Sequence, residues 1–229
     1  MRPTDSSQLF DSWPDKYRQW FETPIGSLVK ACEQSLILEL LQPQVGEAIL
    51  DAGCGSGIFT QPVIDAGAHV VGMDLSLPML CSARHALPSE AFAPLVADMR
   101  VLPFAGGCFD KCVSITALEF IDDARTAMDE LFRVTRPGGT IVVATLNSLS
   151  PWAERRKEDA AAQAQSVFRH ARFRSPDEMA ALAPVGGVLR TAVHFDKTDQ
   201  PERARLKEQR GAQAGSMRGA FLIGRWIKP

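Results

Sequence analysis

The chain has 229 residues, 45% of them hydrophobic and 23% charged, with a formal net charge of -2. That composition builds one sizeable core, and it leaves no global field to draw in nucleic acid or an anionic membrane. The five cysteines (Cys32, Cys54, Cys81, Cys108 and Cys112) have no CxxC spacing, and no histidine is placed to complete a zinc pattern, which argues against a zinc site.

Residues 1–27 are polar but carry five aromatics: Phe10, Trp13, Tyr17, Trp20 and Phe21. The first residues have no apolar core of a signal peptide, and no apolar run approaches 18 residues. With cysteines read as reduced, the expectation is a cytoplasmic protein. Residues 28–41 follow helical spacing through Val29, Cys32, Leu36 and Leu40, and Pro43 ends the pattern.

Short apolar runs then alternate with helical stretches. The runs are 48–52, 68–73, 92–97, 109–116 and 140–146, the last preceded by the turn Pro137-Gly138-Gly139. Helices are expected after the glycines at 53–57, at 76–85 and at 122–135. This alternation predicts an α/β fold with a parallel sheet covered on both faces. Beyond Asn147 the pattern breaks. Residues 148–175 are polar and rich in Arg and Ala, and a helix is expected from Pro176, with Ser175 as N-cap and Glu178 at N3. Residues 188–195 and 219–227 read as closing strands, and 196–217 as a long loop or hairpin arm.

The stretch ILDAGCGSGIFT (49–60) occupies the first βα turn, where open parallel sheets bind ligands. A dinucleotide fingerprint aligned on Gly53 and Gly55 requires glycine at 58, which is Ile58. No lysine follows Gly57, so a P-loop fails as well. Asp51, at the end of the preceding run, would repel a phosphate and accept hydrogen bonds from a cationic or hydroxylated group. Asp74 ends the second run and suits a pair of ribose hydroxyls, or a helix cap that Ser76 would serve equally well. Asp98 ends the third and suits an exocyclic amine, or a turn. A plain tight turn with a capping acid remains the alternative for the glycines alone.

These motifs in this order resemble the class I S-adenosylmethionine-dependent methyltransferases, of the type that includes quinone- and biotin-pathway methylases. The resemblance is carried by ILDAGCGSGIFT, VVGMDLS, ADMRVLPFAGGCFD and LFRVTRPGGTIVV, and is strongest over 48–147. It implies a Rossmann-like, doubly wound, seven-stranded and mostly parallel sheet with the last strand antiparallel. It implies one methyltransferase domain over 1–229, with an N-terminal lid at 1–45, a cofactor core at 46–147, a substrate lid at 148–185 and closing strands at 186–229. It implies S-adenosylmethionine as cofactor and S-adenosylhomocysteine as product, with no metal. Asp51, Gly53, Cys54, Gly55 and Gly57 would seat the amino-acid and ribose portion. Asp74 would hold the ribose, Leu75 and Met79 the adenine, Asp98 the adenine amine and Met99 the ring. Thr116 and Ala117 would face the methionine or the substrate, and Tyr17 would lie in a segment folding over the cofactor.

A sulfonium methyl is already activated, so positioning carries much of the chemistry and no fixed base is required. His170, Glu119, Tyr17 and His194 are the candidate bases, each with an ordinary structural role as its alternative. The expected partner is a small molecule. One or two of Arg155, Arg156, Lys157, Arg169, Arg172 and Arg174 would meet an anionic group on it. Neither a nucleic-acid partner nor a membrane span is expected, and the oligomeric state is open. Rival readings are a non-catalytic cofactor-binding protein and a methyltransferase acting on protein or RNA through the basic residues of 197–229. A nicotinamide dehydrogenase is disfavoured by Ile58.

Overall fold

Five short apolar runs become the parallel strands of one sheet, because a strand covered by helices on both faces must be apolar throughout. The computed structural model describes residues 9–11, 13–162 and 166–229, the side chains of 14–17 and 162 excepted. The strands are β1 (Ala48–Ala52), β2 (His69–Asp74), β3 (Phe92–Val96), β4 (Phe109–Ile115), β5 (Thr135–Leu146), β6 (Val188–Ala192) and β7 (Phe221–Ile227). They form a seven-stranded sheet in the order β3-β2-β1-β4-β5-β7-β6. β7 pairs antiparallel with β5 and β6, and the pairings among β1 to β5 are parallel. The chain winds outward from β1 through β2 to β3, then returns to start β4 on the other side of β1. That reversal leaves a crevice beyond the carboxyl ends of β1 and β4.

The described helices are α1 (Pro14–Glu22), α2 (Pro24–Leu41), α3 (Gln61–Asp65), α4 (Leu77–Ala86), α5 (Ala124–Val134), α6 (Pro151–Ala162), α7 (Pro176–Ala180) and α8 (Pro201–Gln213). Their starts follow capping chemistry. Thr23 accepts from Gly26 N at α2, Asp123 from Thr126 N at α5, and Ser175 with Glu178 completes a capping box at α7. α5 buries Ala124, Ala127, Met128, Leu131, Phe132 and Val134 at helical spacing against the sheet. Asn147, buried after β5, donates through Nδ2 to Met217 O and Gly219 O (2.9 and 2.8 Å). It thereby ties the start of the 148–175 segment to the approach into β7.

Several local expectations change. The 196–217 arm contains α8, whose sequence gives no apolar period because only Ala204 is buried in it. The 137–139 turn is absorbed into β5, where Gly138 sits at φ +73° opposite a register shift in β4. α2 begins at Pro24, a turn before its apolar spacing starts. β6 stops at Ala192, because Val193 takes φ +64°, a left-handed conformation that a β-branched residue rarely adopts. No described helix is long and apolar enough to cross a membrane.

Candidate functional site

A cavity of about 1040 Å3 lies at the switch point between β1 and β4. The glycine turn forms part of its floor. Gly53 and Cys54 donate to Met73 O (2.7 and 2.9 Å), which folds the turn back across the end of β2. Gly53, Gly55 and Gly57 all have positive φ (80, 54 and 81°). At Gly53 there is a second requirement, since any Cβ would be driven into the methyl of Ala117.

Asp51, 3% exposed, accepts from Thr60 Oγ1 through Oδ2 (2.6 Å), while its Oδ1 is buried with no partner. Burial pushes its carboxyl up to about 7; the Thr60 hydroxyl opposes the rise and the charge of Asp74 adds to it. Asp74 accepts from Gly55 N and Ser76 N (both 2.9 Å). Ser76 caps α4 by accepting from Met79 N, so Asp74 is not needed as the cap. Burial raises the Asp74 carboxyl against those backbone donors. Asp98 is gripped by the Arg100 fork (2.6 Å at the shortest), and this hydrogen bonding holds its carboxyl below the ordinary range.

Of the residues expected to hold a ligand, Asp51, Gly53, Cys54, Gly55, Asp74, Leu75, Met79, Asp98, Met99, Thr116 and Ala117 all line this cavity. Gly57 does not; a Cβ there would meet Leu87 and Ala83, so its bareness serves packing against α4 and the residue after it. Tyr17 lies on α1, but its side chain is outside the described residues. Thr116 sits at φ +48°, a strained conformation where β4 gives way to the cavity wall.

The candidate bases separate. Glu119 and His170 line the cavity. His194 does not: it is held by Glu208, Thr191 and Ser216 between β6 and α8. Burial alone would lower the His194 ring, but the Glu208 hydrogen bond, the Ser216 carbonyl and the Glu208 charge together outweigh it and raise it. That is a structural role. Among the cations of residues 148–175, Arg155, Arg156 and Arg169 reach the cavity, whereas Arg172 pairs loosely with Glu178 and Arg174 is buried on Leu118 O and Arg172 O. The Arg156 guanidinium lies over the rings of Trp152 and Phe168, 5.2 Å from each.

Three features of the wall are absent from the sequence reading. Glu33 of α2 is 8% exposed and lines the cavity, and burial pushes its carboxyl up to about 8. The signal was present: Glu33 lies four residues after Val29 and three before Leu36, on the apolar stripe of α2. Arg100, two residues after Asp98, occupies the carboxylate expected to meet an amine. Lys197 reaches across from the segment after β6 to the ring of Trp20 (5.0 Å) and also lines the cavity.

The N-terminal aromatics cover one side. Phe10 and Trp13 line the cavity, and Phe10 packs edge-on against Phe120 (centroids 4.8 Å). Asp11 Oδ1 accepts from Ser76 Oγ (2.6 Å), pinning this segment to the start of α4. An edge-on pair of this kind contributes about 1 kcal/mol beyond area burial. Phe10→Ala is therefore expected to lower ligand-free stability by about 1 kcal/mol and, by loosening this wall, to weaken binding of S-adenosylhomocysteine, the product the sequence resemblance implies, roughly fivefold, read by calorimetry. Unaltered binding would show that this segment does not cover the ligand.

Residues 50–143 match the family described as Methyltransferase domain. A malonyl-[acyl-carrier protein] O-methyltransferase from Erwinia billingiae is 38% identical over 121 residues, covering 53% of this chain and 47% of that protein. The chain thus spans about half the length of this relative. The corresponding Salmonella typhimurium enzyme is 30% identical over 197 residues, covering 75% of this chain and 76% of its own length. Among solved structures, a Thermotoga maritima protein described as a SAM-dependent methyltransferase, possible histamine N-methyltransferase, superposes with a TM-score of 0.70 at 20% identity, covering 98% of this chain and all of that one.

Proposed function

The chain belongs to the class I S-adenosylmethionine-dependent methyltransferases, and from that we propose that it transfers a methyl group from S-adenosylmethionine to a small-molecule acceptor. The observation that carries this reading is the buried, unpartnered Oδ1 of Asp51, beside a glycine turn that tolerates no side chain at Gly53. A buried carboxylate oxygen without a partner is costly, and a cationic amino group would satisfy it. No phosphate fits beside that charge.

In this reading Asp51 meets the ammonium end, Asp74 the ribose hydroxyls, and Met79 and Met99 the adenine. Asp98, already paired with Arg100, offers the adenine amine only the lone pairs the guanidinium leaves. The cofactor supplies a methyl on an electron-poor sulfur. The chain orients the acceptor and excludes water from above through Phe10, Trp13 and the 148–185 segment, for which we propose a lid role. The acceptor atom is left open.

Binding of S-adenosylhomocysteine by calorimetry tests the reading. Asp74→Ala removes a charge-assisted acceptor from the ligand and loosens the turn at Gly55, so affinity is expected to fall on the order of a hundredfold. If the native protein binds neither S-adenosylmethionine nor its product, the reading fails. If it binds both yet forms no methylated product across a broad metabolite panel, a cofactor-binding protein without catalysis is the better description.

A further inference from the structure

The far end of the cavity is chemically polarised. Its buried wall carries Glu33 and Glu119, 8% and 1% exposed. Glu119 Oε2 accepts from Thr145 Oγ1 (3.3 Å), while Oε1 is buried without a partner. At the solvent side stand the exposed cations Lys197 and Arg169 and the half-buried Arg155, with Asp159 the exposed acid among them. Between the two ends the walls are mostly apolar, formed by Trp20, Phe21, Val29, Trp152, Val167 and Phe168, with the Arg156 guanidinium lying over the Trp152 and Phe168 rings.

We infer that this end of the cavity binds a small hydroxy acid, its hydroxyl donated to Glu119 at the buried wall and its anionic group held by Arg155, Arg169 and Lys197 at the mouth. The inference rests on the methyl-transfer reading and narrows its acceptor. A plain anion would place its charge among the mouth cations and leave Glu119 Oε1 unmet. A plain cation would meet the carboxyls only after passing Lys197, Arg169 and Arg155. A molecule with a neutral donor at one end and an anion at the other satisfies both, and the aromatic walls fit a flat apolar body between them. A site built to accept a hydrogen bond discriminates strongly against an analogue lacking the donor, because the buried acceptor is then left unpaired.

The test uses the full chain saturated with S-adenosylhomocysteine and three probes, with tryptophan fluorescence and calorimetry as readouts, since Trp20 and Trp152 line the site. The probes are para-hydroxybenzoate, para-fluorobenzoate, which lacks the donor, and para-cresol, which lacks the anion. para-Hydroxybenzoate is expected to bind at least about tenfold more tightly than either of the others. Glu119→Leu, which removes the acceptor at similar size, should erase its advantage over the fluoro analogue, whereas Glu119→Gln, whose amide oxygen still accepts, should keep part of it. A double variant, Arg155→Ala with Arg169→Ala, should erase its advantage over para-cresol. Equal binding of all three probes, discrimination that survives Glu119→Leu, or no probe binding to the loaded protein overturns the inference. Because loading is measured first, failure of the cofactor reading is seen separately.

Discussion

Replacing Gly53 by Ala is expected to abolish cofactor binding at any practical concentration and to lower stability by roughly 2–5 kcal/mol. Two costs add. A left-handed conformation at φ +80° costs an alanine about 1–2 kcal/mol relative to glycine. The new methyl is also driven into Ala117 Cβ, and forcing an extra carbon into packed surroundings costs about 1–3 kcal/mol. The displacement falls at a special place. Gly53 and Ala117 both line the cavity, so neither can yield without reshaping its floor. Urea unfolding gives the stability loss and calorimetry with S-adenosylhomocysteine gives the binding loss. A Gly57→Ala control, whose new methyl faces Leu87 outside the cavity, should destabilise through the same φ penalty but bind more than tenfold better than Gly53→Ala. Equal binding by the two variants would mean the Gly53–Ala117 contact is not part of the ligand seat.

The second large effect is a dependence of ligand-free stability on pH. Glu33 has its carboxyl pushed up to about 8, and Asp51 and Glu119 to about 7, burial being the leading cause in each case. For Glu33 the nearby Arg156 charge opposes the rise and Glu119 adds to it. The unfolded chain releases these protons near pH 4, so above that pH the folded state holds more protons than the unfolded state. Stability is then fully present below the unfolded pKa, falls as pH rises, and levels once pH passes the folded values at 7–8. His194, raised by Glu208, contributes in the same direction above its ordinary titration range. Glu33 alone accounts for on the order of 4 kcal/mol between pH 4.5 and 8.5. Glu33→Gln is expected to match the native protein at pH 4.5 and to be a few kcal/mol more stable at pH 8.5, by urea unfolding at fixed ionic strength. A difference that does not change with pH would show that Glu33 titrates normally. Cofactor affinity should run the other way at Asp51, strengthening from pH 5.5 to 8 as its carboxyl ionises to meet an ammonium.

The sheet was legible because its central strands β1, β4 and the second half of β5 are buried on both faces, which leaves an apolar run such as Ile49-Leu50 or Ile141–Ala144 that little else explains. The glycine turn and the acids at strand ends were legible because their spacing is local. What the sequence hid was relational. α8 is wetted on nearly every side, so no period marks it. The pairing of Asp98 with Arg100 looks like two independent charges until the turn folds. Lys197 meets Trp20 across a separation no local pattern records. Glu33 left a trace, an acid within the apolar stripe of α2, and such an acid is worth suspecting wherever a stripe is otherwise unbroken. His194 misled for the complementary reason: a histidine's value as a base depends on partners such as Glu208 that lie on another element.

The place of β7 in the sheet carries a consequence for synthesis. β5 pairs along its whole inner edge, from Thr140 to Leu146, with residues 227 down to 221. Until that last strand has cleared the ribosome, β5 stands as a bare, apolar edge and β6 has no neighbour to join. Asn147 likewise lacks the Met217 and Gly219 carbonyls that anchor the covering segment. The nascent chain therefore carries the glycine turn and the strand-end acids before the 148–175 wall of the cavity is anchored. Chains stalled or truncated before residue 221 would expose an adhesive edge prone to coaggregation, so the need for chaperones should persist until residues 221–227 have emerged.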